Sequence, residues 1–361
     1  MPAKPSRMAC KPADYQRMKI TDVVQPWEDG IRAESSSGMF EWWYFDSHLD
    51  DGSTLVIVFY TKSIYEANEN GFRPYASFQL ESPDGTYISK ECYVKLDQFS
   101  ASKQGCDVVM GPNTFKGDLT AYTMHFEMDE VVADVALKGT VPAWRPYTGF
   151  TAFGEHDERY FAWLPSVPQG EVVADISIGA KKRRYTGVGY HDHNWGNAPM
   201  QDVLHHWYWG RGKVGEYTVI TSYIWASEAY GYNEIPVFLL AKGDKVLADD
   251  SLANVQFEAS GRFIEPKTGK PNYRHLVFTY GTAQTGILWR VTYDYERDVD
   301  EWRMIDQLPK AKAKLAQFAG FDGAYMRVGG TVTLENLQTG ERFSEPALWE
   351  TMYFGKNLPS Y

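Results

Sequence analysis

The feature that most limits the fold is a succession of strand-length runs cut by turn signals at short intervals. Asp50-Asp51-Gly52 separates residues 39–46 from 53–60, and Pro83-Asp84-Gly85 separates 75–80 from 87–96. Runs at 117–126, 131–138, 171–178 and 185–191 continue the series. Further runs at 204–211, 216–225, 235–242, 252–260, 275–281, 287–295 and 326–336 carry it towards the C-terminus. Runs rich in β-branched and aromatic residues at this spacing predict an all-β sandwich or barrel, not alternating strand–helix units. One helix is predicted near 306–319, where Asp306 can cap, Pro309 suits the first turn and Gly320 can end it. Residues 1–35 are polar, with Pro2, Pro5, Pro12 and Pro26, and read as a loosely ordered arm. The break between the two remaining parts, 36–198 and 199–361, is placed at the turn near 196–199.

Within this pattern one stretch concentrates chemistry: Tyr190-His191-Asp192-His193-Asn194-Trp195-Gly196. The residues before it read as a strand, and Asn194-Trp195-Gly196 as the turn that ends it. Residues two apart on a strand share a face. Tyr190, Asp192 and Asn194 therefore point one way, His191 and His193 the other, and at most one set can face a cavity. A second stretch, Glu41-Trp42-Trp43-Tyr44-Phe45-Asp46, has bulky groups on both faces and is expected to be covered on both. A third, Trp207-Tyr208-Trp209-Gly210-Arg211, puts two indoles and a guanidinium on one face, either a stacked structural group or a clamp for an oxygenated substrate. Glu41, on so aromatic a strand, needs a partner, and Arg211 is a candidate.

These groups leave several chemistries open. His191 and His193, with His205 and His206 further on, permit either a metal site or simple hydrogen bonds to backbone carbonyls. Asp192, walled by aromatics, can have its pKa raised by burial and stay protonated at neutral pH, or can accept from the amides of Asn194 and Trp195. Gly210-Arg211-Gly212-Lys213-Val214-Gly215 has dinucleotide-motif spacing, but a strand follows it where that motif needs a helix, so it reads as a hairpin turn. No phosphate loop, nucleophile elbow or zinc-protease motif is present.

Bulk properties exclude further classes. A net charge of −11 with no long basic run argues against nucleic acid. Three cysteines without CxxC spacing give no disulfide framework. No apolar run is long enough to span a membrane and the start does not read as a signal peptide, so a cytoplasmic location is expected. The aromatic fraction of 15% suits either pleated surfaces or a cavity for a large apolar ligand.

The Glu41–Asp46, Tyr190–Gly196 and Trp207–Arg211 stretches together resemble the carotenoid 1,2-hydratase (AttH-like, hydroxyneurosporene synthase-like) family. That family includes kievitone hydratases and is related to fungal Diels–Alderases; the resemblance runs from about residue 35 to the C-terminus. It implies two lipocalin-like β domains, no cofactor, an apolar small-molecule substrate, and a monomer or homodimer. Family hydratases add water to a double bond by acid–base catalysis with an aspartate in a Tyr-x-Asp, which carries over to Tyr190 and Asp192. An upstream His-x-Trp pair of the carotenoid enzymes is not matched, the corresponding stretch being Trp163-Leu164-Pro165. The implied activity is a cofactor-independent hydratase, dehydratase or cyclase for a terpenoid or polyketide-type compound, with a pericyclase or an apolar-ligand carrier as alternatives. Catalytic roles are expected for Asp192, Tyr190 and His193. Substrate contacts are expected for Glu41, Trp42, Trp43, Tyr44, His191, Asn194, Trp207, Trp209, Arg211 and Tyr223.

Overall fold

A computed structural model describes residues 3–358, except 250–251, 283, 285, 309, 311–312, 315–317 and 319–320. The chain forms two compact units. The first comprises Ala9–Ala152 and Arg159–Pro199; the second takes residues up to Met8, Phe153–Glu158 and the chain from Met200 on.

The first unit is built on one antiparallel sheet. From one edge inward its strands are Tyr87–Tyr93, Tyr75–Glu81, Thr54–Tyr60, Phe40–Leu49 and Lys181–Gly196. Arg159–Ile178, Val131–Gly139, Ala121–Met128, Asn113–Gly117, Cys106–Met110 and Phe99–Ala101 follow. Alternation sends Leu55, Ile57 and Phe59 into the core. The sheet curls so that its halves meet: Phe59 packs edge-on to Phe115 with centroids 5.6 Å apart, and Phe78 stacks on Phe126 at 5.3 Å. The consequence for function lies in the strand order. Phe40–Leu49 pairs with Lys181–Gly196, aligning Trp42 with Asn194, Tyr44 with Asp192 and Asp46 with Tyr190. Two glycines permit this approach: a Cβ on Gly187 would lie 2.2 Å from the His48 carbonyl oxygen, and one on Gly189 2.5 Å from a Val172 methyl.

The second unit is a nine-stranded antiparallel sheet. Its order is Lys245–Ala248, Glu234–Lys242, Tyr217–Ala226, Leu204–Val214, Arg342–Tyr353, Ala324–Asn336, Gly286–Arg303, Pro271–Thr282 and Val255–Ile264. It too curls round its own core: Phe238 stacks on Tyr280 at 5.1 Å and Tyr223 on Phe257 at 4.5 Å. The fold class is thus all-β, with two lipocalin-like units, as expected.

Three local expectations change. Residues 9–35 are not a loose arm: they hold a helix, Pro12–Met18, and a 3-10 turn, Pro26–Asp29, whose Glu28 receives the buried Arg145 guanidinium at 2.9 Å. Asn194-Trp195-Gly196 is not a turn but the end of the strand Lys181–Gly196, held by pairing on both sides. Residues 159–170, which lie outside every expected run, are strand; register shifts at 164–167 and 167–170 absorb Pro165 and Pro168. The helix expected at 306–319 falls largely outside the described residues; Asp306 itself lies in the 3-10 turn Met304–Gln307. The Gly210–Gly215 run is a strand end and a hairpin, with Gly215 at φ 60°.

Candidate functional site

The two faces of Lys181–Gly196 carry two different constellations. On the face turned away from the first unit's apolar core stand Tyr190, Asp192 and Asn194. Asp192, only 6% exposed, accepts three side-chain hydrogen bonds. Tyr190 Oη donates to its Oδ2 at 2.7 Å, Trp163 Nε1 to the same oxygen at 2.8 Å, and Asn194 Nδ2 to Oδ1 at 2.6 Å. The Trp163 indole N–H also reaches Tyr190 Oη at 3.1 Å. Trp163 is brought in by pairing with Asn194 and braced edge-on by Trp144. Tyr44, opposite Asp192, packs edge-on to Tyr190 and donates to Asp46 Oδ2 at 3.0 Å.

Burial pushes the Asp192 carboxyl up, while the bonds from Tyr190 and Trp163, the nearby His191 and the Asn194 bond pull it down; the balance is a pKa of about 6. The group is therefore poised to exchange a proton near neutrality rather than locked in its acid form. Burial, then the Asp192 charge, lifts the Tyr190 phenol well above its usual range, so Tyr190 acts as a hydrogen-bond donor. The backbone amides of Asn194 and Trp195 play no part in holding Asp192, because both residues continue the strand.

The other face belongs to the core. His191 Nδ1 lies 2.8 Å from the Tyr44 carbonyl and its Nε2 3.3 Å from Asp29 Oδ2. His193 Nε2 lies 2.6 Å from Glu41 Oε1, and Trp43 stacks on the ring at 4.8 Å. Glu41 also accepts the amides of Arg32 at 2.7 Å and Ala33 at 2.8 Å, so its partners are these and not Arg211, which stands on a strand of the second unit. Asp29 accepts the Tyr122 hydroxyl at 2.5 Å. Burial alone would raise Asp29, but the charge and hydrogen bond of His191, with His193 and Tyr122, outweigh it and hold the carboxyl below its usual range. Burial drives the nearby Cys106 thiol well up.

The expected site residues are thereby sorted. Tyr190, Asp192, Asn194, Trp42 and Tyr44 share one face. Glu41, Trp43, His191 and His193 share the buried opposite face, as alternation predicts, so the catalytic role expected of His193 and the substrate contacts expected of His191, Glu41 and Trp43 do not lie on the face of Asp192. Trp207, Trp209 and Arg211 lie together on one face of Leu204–Val214 in the second unit, with Trp207 packed on Phe354. Tyr223 is in that unit's core and donates to Glu234 at 2.7 Å. His206 is stacked between Trp225 at 4.2 Å and Tyr353 at 4.9 Å, and burial lowers its pKa. Sequence reasoning missed Trp163, hidden in a proline-containing strand, and Asp29, Tyr122 and Cys106, which only the fold brings near His191.

Comparison with known proteins follows the same lines. The solved structure of a putative AttH from Nitrosomonas europaea superposes with a TM-score of 0.63 at 14% identity, covering 96% of this chain and 100% of that one. Kievitone hydratase from Nectria haematococca gives 0.57 at 14% identity, covering 98% of each. In sequence, the chain is 29% identical over 206 residues to hydroxyneurosporene dehydrogenase of Chlorobaculum tepidum, 48% of this chain and 53% of that protein. The chain spans about half the length, or less, of the curated relatives it matches. No helix among the described residues is long and apolar enough to cross a membrane. The Diels-Alderase-like family model matches residues 31–258, well over half of the chain, and the chain belongs to the Diels-Alderase-like family.

Proposed function

We propose that this protein is a cofactor-independent lyase or isomerase, a hydratase, dehydratase or cyclase, acting on a hydrophobic terpenoid or polyketide-type natural product. The observation that carries the reading is Asp192: a buried carboxyl with a pKa of about 6, oriented by Tyr190, Trp163 and Asn194. Asp192 donates its proton to one carbon of a double bond and becomes a carboxylate. The neighbouring carbon is left as a cation, which aromatic faces such as Trp42 and Tyr44 stabilise. Water or an internal alkene adds to that carbon. The proton released from the added water, or from an adjacent carbon, returns to Asp192. The similarity to hydroxyneurosporene dehydrogenase in sequence and to kievitone hydratase in fold supports this reading.

The family model favours a second reading, a pericyclase that holds one reactive conformer and moves no proton. Turnover of a panel of acyclic carotenoids, prenylated phenols and linear polyene polyketides, run in deuterated water, separates the two. Proton-initiated hydration or cyclisation leaves one deuterium on carbon in the product, dehydration, the same steps in reverse, leaves none, and in each case Asp192→Asn lowers turnover by about 100-fold or more. Product free of deuterium, with Asp192→Asn fully active, refutes the acid role.

A further inference from the structure

The buried face opposite Asp192 presents a different chemistry. His191 Nδ1 faces the Tyr44 carbonyl at 2.8 Å. A carbonyl only accepts, so Nδ1 carries a proton and Nε2 is the nitrogen left to face other groups. His193 Nε2 faces Glu41 Oε1 at 2.6 Å, so a proton sits there and Nδ1 is the nitrogen left over. Both remaining nitrogens are aimed at one carboxyl: His191 Nε2 at Asp29 Oδ2, 3.3 Å, and His193 Nδ1 at Asp29 Oδ1, 3.4 Å. Among the described residues His193 Nδ1 and Asp29 Oδ1 have no hydrogen-bond partner, and all three side chains are at most 1% exposed. Nitrogens and carboxylate oxygens that converge in an apolar core need a cation among them, a proton or a metal ion.

Cys106 completes the group. Its sulfur, an Asp29 carboxylate oxygen and a nitrogen of His191 all lie within 4.8 Å of one another, and all three residues are buried. We propose that Asp29, Cys106 and His191 bind one zinc-class divalent ion in the core of the first unit, with His193 adjoining as the reserve donor. The mixed O, S and N set suits a borderline metal without a geometric preference, which zinc is. The outer hydrogen bonds that ligands require are already in place: the Tyr44 carbonyl fixes the His191 tautomer, the Tyr122 hydroxyl bonds Asp29, and the Glu41 carboxylate orients His193. The Cys106 thiol reaches only the Phe115 carbonyl, at 3.6 Å; on binding it releases its proton and coordinates as thiolate. The ligands come from the Pro26–Asp29 turn and the strands Cys106–Met110 and Lys181–Gly196, so the ion ties three distant segments together. Lying behind the strand, away from Asp192, it is structural, and its existence does not depend on the proposed reaction.

The test uses the full chain, produced without a metal-binding tag and analysed by plasma mass spectrometry. The expected result is about one zinc per chain, falling below about a tenth in Cys106→Ser and in Asp29→Asn. Should either variant fail to fold, wild-type protein unfolded in chelator and refolded with cobalt(II) is expected to show thiolate-to-cobalt absorption and a higher unfolding midpoint than the metal-free chain. Two results overturn the site. One is wild-type protein that carries no first-row metal and refolds to the same midpoint with or without zinc or cobalt. The other is a nitrogen NMR spectrum in which both ring nitrogens of His191 are protonated, meaning that a proton is the cation.

Discussion

Replacing Asp192 by Asn isolates the cost of the buried carboxyl. The folded protein holds this group at about 6 against an ordinary 3.8. At about 1.4 kcal/mol per pKa unit, the difference corresponds to about 3 kcal/mol of differential stability. The sign follows from proton counting. Between pH 3.8 and about 6 the folded state keeps a proton that the unfolded chain has lost. The stabilising contribution is therefore full below the lower value and lost as pH rises through the upper one. Asp192 is fully buried, so solvent screening does not reduce the figure. The amide titrates nowhere, and its carbonyl still accepts from Tyr190 and Trp163. Urea unfolding of wild type and Asp192→Asn across this range is expected to give a stability difference, wild type minus variant, that falls by about 2.4 kcal/mol from pH 4 to pH 7. The variant should be the more stable protein at pH 8 and the less active, the usual exchange of stability for function at a strained site. Parallel stability profiles over this range would refute the reasoning.

Other expectations follow from the same geometry. Trp163→Phe removes a donor that favours the carboxylate, so the Asp192 titration moves to higher pH in the variant, as seen in the same pH-dependent unfolding; an unchanged profile contradicts the Trp163 contact. Gly187→Ala places a methyl 2.2 Å from the His48 oxygen, forcing the two site strands apart; a thermal melt should show a loss of about 2 kcal/mol or more. Glu28→Gln leaves the Arg145 guanidinium, buried with only 4% of its side chain exposed, without its counter-charge, at about 3 kcal/mol by denaturant titration.

Much of this molecule was written in the sequence. Alternating apolar runs separated by Gly, Asp and Pro turns determined an all-β chain, because burial of one sheet face requires period two and each reversal requires a residue that tolerates the turn. The same period alone splits Tyr190, Asp192 and Asn194 from His191 and His193, and the motif set points to the family. Local pattern failed where distant contact decided. Two prolines concealed the strand that carries Trp163, since proline is unfavourable in a ladder unless bulges accommodate it. Residues 9–35 looked loose because their anchors, Arg145 for Glu28 and the His191 and Tyr122 side chains for Asp29, come from more than 90 residues away. The pKa of Asp192 was likewise beyond the sequence. Its direction follows from burial, but its value rests on three donors whose positions are set by the pairing of Arg159–Ile178, Lys181–Gly196 and Phe40–Leu49. Strand periodicity is a property of neighbours in the chain. The field at a carboxylate is a property of neighbours in space, and only the tertiary structure determines those.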